Sequence, residues 1–142
     1  MQKEVIGLRG IGNTGKSQTI RKAYDLLKFT HKNVKEEHES IGKLDIRVVL
    51  TINGAKIGIE SQGDPGFRLK KSLSLFVKLQ CTVIVCATRT RGQTVNVVER
   101  LKPDYELLWL QQDVRSIASE QEASNNAMAQ RIVEEVEKAI SV

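Results

Sequence analysis

Aromatic residues make up only 4% of this 142-residue chain, so any core it buries has to be built from aliphatic side chains. Cysteine is also rare. Cys81 and Cys86 are the only two, too few for a disulfide scaffold. They share one apolar run, where a strand puts residues five apart on opposite faces, beyond bridging distance. They therefore read as buried thiols in a reducing compartment. No apolar run approaches the ~20 residues of a membrane span. The opening MQKEVIGLRG lacks the long apolar centre of a secretory leader, which makes a cytoplasmic location the expectation. Like charges never cluster in blocks of five or six, so no basic arm for nucleic acid is present. Internal repeats and low-complexity linkers are absent too. The length is that of one domain spanning 1–142. Its 40% hydrophobic and 27% charged residues are ordinary for a globular chain, and the net charge of +5 suits an anionic partner.

The hydrophobic pattern alternates between strands and helices. Val5–Leu8 is a short run buried on both faces, and Ile20, Ala23, Tyr24 and Leu27 place a helix over about Lys16–Lys28. Thr30–Lys43 is polar without apolar period and reads as a loop. Two alternating runs, 46–52 and 56–60, flank Asn53-Gly54, which predicts an antiparallel hairpin. After a Gly/Pro loop at 62–66, Phe67–Leu79 is amphipathic with basic residues outside. Thr82–Ala87 is a second fully buried strand, and a short helix carrying Val95, Val98 and Leu101 ends at Pro103. Tyr105–Leu110 is a last buried strand with Trp109 in its core. Met128, Ile132, Val136 and Ala139 or Ile140 define a terminal helix. This order predicts an α/β three-layer sandwich: a mainly parallel five-stranded sheet with one antiparallel edge strand from the 45–60 hairpin.

Between the first strand and the first helix stands Gly10-Ile11-Gly12-Asn13-Thr14-Gly15-Lys16-Ser17, which meets G-x-x-x-x-G-K-[ST] at every fixed position. A loop curling round phosphates must point successive backbone N–H groups inward, and glycine permits the dihedrals this needs. The following helix directs its N-terminal partial charge at the same anion. Lys16 supplies a compact positive charge, Ser17 a hydroxyl for Mg²⁺, and Thr19, two positions beyond Ser17 in the same turn of helix, is a further nucleotide-binding candidate.

On this motif the chain resembles the P-loop NTPase superfamily. The resemblance implies binding of Mg²⁺ with ATP or another nucleoside triphosphate. It also implies a carboxylate near the end of a neighbouring strand. Glu60-Ser61-Gln62-Gly63 is similar to the Asp-x-x-Gly element of the GTPase-like branch. It offers Glu60 and Asp64 as metal-binding or catalytic carboxylates, and Gly63 as a backbone donor to the γ-phosphate. The aspartate of the guanine-reading Asn-Lys-x-Asp motif is missing after Thr82–Ala87, where Thr88-Arg89-Thr90-Arg91 stands instead. ATP is therefore the default, with Arg89 and Arg91 placed to meet base or phosphate. Thr30 lies where switch-type members keep a Mg²⁺-binding threonine. Three functions follow from the resemblance: hydrolysis, a small phosphotransferase using Asp64 as base, or nucleotide binding alone. A protein partner would meet the 30–43 segment or helix 67–79. Nucleic acid is a weaker candidate for that basic helix. His31 and His38 with their neighbouring glutamates fit no compact metal site.

Overall fold

The computed structural model describes residues 3–10, 15–41, 45–62 and 66–141. Six strands and four helices follow one another as β1 (Glu4–Arg9), α1 (Lys16–Thr30), β2 (Lys35–Ile41), β3 (Ile46–Ile52), β4 (Ala55–Glu60), α2 (Gly66–Lys78), β5 (Val83–Thr88), α3 (Gln93–Glu99), β6 (Glu106–Gln111) and α4 (Ala118–Ile140). They build one mixed sheet in the order β2-β3-β4-β5-β1-β6. Strands β4, β5, β1 and β6 pair in parallel, and β3 runs antiparallel to both of its neighbours. The Asn53-Gly54 turn, with both residues at positive φ, sets the hairpin register so that Arg47 faces Glu60.

Helices cover both faces. Ile20, Ala23, Tyr24 and Leu27 of α1 and Ile132, Val136 and Ile140 of α4 close over Ile6, Leu8, Ile57, Ile59 and Val85. On the other face Leu69, Leu73 and Phe76 of α2 and Val97 and Val98 of α3 meet Val5, Val49, Ile84 and Cys86. Strand β5 is buried at all six positions, as its apolar run requires between two helical layers. Cys81 and Cys86 are buried free thiols, and burial pushes their pKa values up to about 11 and about 12. Among the described residues no helix is long and apolar enough to cross a membrane.

Three expectations are corrected. The polar 30–43 segment is not all loop: its second half is β2, which makes the sheet six-stranded and takes the edge beside β3. An edge strand needs main-chain pairing more than an apolar stripe, and β2 is secured by both kinds of polar contact. Its backbone pairs with β3, and Glu36 takes a hydrogen bond from Tyr24 at 3.0 Å and pairs with Lys28 at 2.6 Å. Strand β6 is an edge strand, half-exposed over most of its length, because β1 is its one neighbour in the sheet. Trp109 is correspondingly part-buried. Its ring fills the space that Gly7 leaves: a Cβ there would lie 2.6 Å from it. Finally, α4 begins at Ala118, ten residues before the apolar period starts.

Candidate functional site

The order of strands puts a topological switch between β1 and β5. From β1 the chain crosses to the β4 side over the α1 face, and from β5 it crosses to β6 over the α3 face. Open α/β sheets bind ligands at the carboxyl ends of strands flanking such a point. Lys16 occupies it. Gly15, at φ 86° and ψ 13°, turns the chain through the left-handed region into α1, so Lys16 is the first residue of the helix. The residue is 9% exposed. The ammonium donates to Gly10 O at the end of β1 and to Thr88 O at the end of β5, each at 2.6 Å. One cation thus joins the ends of both strands while α1 aims its N-terminus at the same place.

Ser17 lies one residue on. Its Oγ is 2.9 Å from Asp45 Oδ1 and 3.1 Å from Ser61 O, with a single proton to share between them. Ser61 Oγ accepts from the Ile46 amide at 2.8 Å and lies 3.3 Å from the same Asp45 oxygen. A carboxylate, two hydroxyls and a carbonyl therefore converge beside the helix start. These are hard oxygen donors of the kind Mg²⁺ takes, so the residues present fit that ion. Asp45 is not recognisable from the motif. The hairpin register carries it there, since Arg47 opposite Glu60 continues to Ile46 opposite Ser61.

Glu60 is elsewhere. Alternation along β4 turns Ala55, Ile57 and Ile59 toward α1 and α4 and Glu60 toward α2. Its fully buried carboxylate accepts from Ser72 Oγ at 2.6 Å and from the Gln62 amide at 3.0 Å. Arg47 Nε and Arg68 Nε each approach to 3.4 Å. The Arg47 contact is a hydrogen bond, whereas Arg68 Nε makes none despite its proximity. This carboxylate is committed to two guanidiniums on the opposite face of the sheet from Ser17. Thr30 ends α1, at ~20 Å along the helix from Ser17. It is far from the hydroxyl it was expected to accompany.

Thr19 is fully buried, with Oγ1 3.0 Å from Gly15 O and 3.2 Å from Gln112 Oε1. Arg89 and Arg91 are exposed on the loop following β5, and the Arg89 amide donates to Thr94 Oγ1 at 2.9 Å. Ile11, Gly12, Asn13, Thr14, Gly63 and Asp64 lie outside the described residues. Of the expected site, the structure brings Gly10, Gly15, Lys16, Ser17 and Thr19 together and sets Glu60 apart. To these it adds Asp45, Ser61 and Gln112. His31 pairs with Glu137 of α4 at 2.9 Å, and among the described residues no three His, Cys, Asp or Glu side chains converge on a metal position. An open depression of about 670 Å³ lies at the other end of the sheet, lined by Lys3, Asp104, Tyr105 and Glu106. No residue of the glycine-rich motif lines it.

No protein-family model, no curated protein and no solved structure matches the chain. The functional reading therefore stands on the residues themselves.

Proposed function

We propose that this chain is a small P-loop NTPase that binds a nucleoside triphosphate, ATP by default, together with Mg²⁺ and hydrolyses it. One observation carries the reading. The lysine of a complete G-x-x-x-x-G-K-S string sits at the start of a helix and spans the ends of two parallel strands at a topological switch. A buried ammonium needs anionic or carbonyl partners, and here it meets two carbonyls at the ends of β1 and β5. A polyphosphate offers the same ammonium full negative charge. Ser17 and Asp45 would hold Mg²⁺, which supplies charge neutralisation for the phosphoryl group. Asp45 takes the carboxylate role first expected of Glu60. Asp64, by its place in the sequence after Gly63, is the carboxylate assigned to orient the attacking water, and Arg89 and Arg91 are the residues assigned to base or phosphate. The buried thiols fit a reducing, cytoplasmic setting.

The test is calorimetric titration of the full chain with ATP and Mg²⁺. Wild type should bind. Lys16→Ala should weaken binding at least 100-fold, about 2.7 kcal/mol, with an unchanged circular-dichroism spectrum. Equal affinity in the two proteins would refute the assignment.

A further inference from the structure

A loop that grips phosphate with its own N–H groups cannot spend those groups on holding itself in shape. Something behind it has to supply the rigidity. Behind Gly15 stands a pair of primary amides. A Cβ built on Gly15 would lie 2.9 Å from Asn125 Nδ2 and 3.5 Å from Gln112 Nε2, so the glycine lies directly against both side chains. Gln112 is 4% exposed and Asn125 2% exposed. Gln112 joins the end of β6 to α4 and α1 at once. Its Nε2 donates to Asn125 Oδ1 at 2.8 Å, and its Oε1 meets Thr19 Oγ1, which also touches Gly15 O. Asn125 Oδ1 accepts a second bond from Gln121 Nε2 at 2.8 Å. Gln121 in turn fixes the loop after β6 through Asp113 O at 2.9 Å and the Arg115 amide at 2.6 Å.

Burying such groups is unfavourable unless they are bonded, and the shared bonds to Asn125 Oδ1 and Thr19 Oγ1 tie β6, α4 and α1 into one arrangement. In α4 the buried position ahead of Ala129 is Asn125, a polar residue where the helix's later inward positions are aliphatic.

We propose that Gln112 and Asn125 are positioning residues of the nucleotide site, holding Gly15 in its left-handed turn so that Lys16 and the start of α1 meet a polyphosphate. The proposal rests on the nucleotide reading above. Neither residue touches the nucleotide; both act through Gly15.

Asn125→Asp is the discriminating variant. It keeps the oxygen that accepts from Gln112 and Gln121 and replaces the amide nitrogen facing Gly15 with a carboxylate oxygen. Full-length wild type, Asn125→Asp, Asn125→Ala, Gln112→Ala and Gln121→Ala are titrated with a fluorescent ATP analogue and Mg²⁺, and their melting temperatures are compared. The Gly15 amide resonance is followed by ¹⁵N NMR without nucleotide. The expected result is at least tenfold weaker binding by Asn125→Asp at a near wild-type melting temperature, with a displaced Gly15 resonance. Gln121→Ala, which breaks the outer bonds only, should stay within twofold of wild type. Wild-type affinity in both Asn125 variants would overturn the proposal. So would affinity that merely tracks melting temperature across the series. A wild type that binds no nucleotide would overturn the nucleotide reading and this proposal together. Loss confined to Lys16→Ala would overturn this proposal alone.

Discussion

Replacing Glu60 by glutamine separates the role its sequence context suggested from the one its surroundings impose. The carboxylate is completely buried, while the Arg47 and Arg68 side chains are 23% and 27% exposed. Breaking a fully buried ion pair by removing one partner costs about 3–5 kcal/mol. Water reaches part of both guanidiniums here, and glutamine retains an oxygen for Ser72, so about 2–3 kcal/mol is the expected loss. At ~2–4 °C per kcal/mol for a domain of this size, the melting temperature should fall by roughly 5–10 °C. Thermal melts followed by circular dichroism give that shift. Titration with ATP at a temperature where both proteins are folded gives the Mg²⁺ dependence of binding. That dependence should be unchanged in Glu60→Gln, because the carboxylate faces α2 while Ser17 and Asp45 face α1. A variant with wild-type melting temperature and no Mg²⁺ dependence would mean that Glu60 holds the metal and that its pairing with the two arginines is wrong.

Asp45→Asn should weaken binding of ATP with Mg²⁺ about tenfold and leave binding in EDTA unaltered, as seen by paired calorimetric titrations; equal losses in both buffers would remove Asp45 from the metal position. Burial raises the pKa of Cys81 from 9.0 to about 11. Its contribution to stability is therefore complete below pH 9 and declines between about pH 9 and 11, as the unfolded thiol ionises first and the folded one resists. The slope is about −1.4 kcal/mol per pH unit. Urea unfolding of wild type and Cys81→Ala across pH 8–11 should show the wild type losing that much more stability with rising pH; parallel curves would contradict it.

The parallel strands β1 and β5 were legible because helices on both faces demand continuous apolar runs, and the phosphate-loop motif because its residue types carry their own chemistry. Asn53-Gly54 announced the hairpin. The edge strand β2 was hidden because Glu36 is anchored by Tyr24 and Lys28 rather than by apolar burial. Alternation alone put Glu60 on the opposite face from Ile57 and Ile59, but it could not say which face α1 would cover. The hairpin register already brought the residue before Ile46 to the end of β4. A search for carboxylates along that register, rather than along β4 itself, was the signal that could have found Asp45. Gln112 and Asn125 offered no such route, since nothing local in a polar stretch marks a buried amide.

Glu60 and Ser61 are covalent neighbours, yet the first is locked beneath α2 and the second lies against Ser17. The sheet separates the two sets of contacts, and between Glu60 and Ser61 the separation is one peptide unit. A backbone shift at that peptide would move both Glu60 beneath α2 and the Ser61 carbonyl beside Ser17. Substitutions on the two sides should therefore combine additively, except where they move the carbonyl of Ser61.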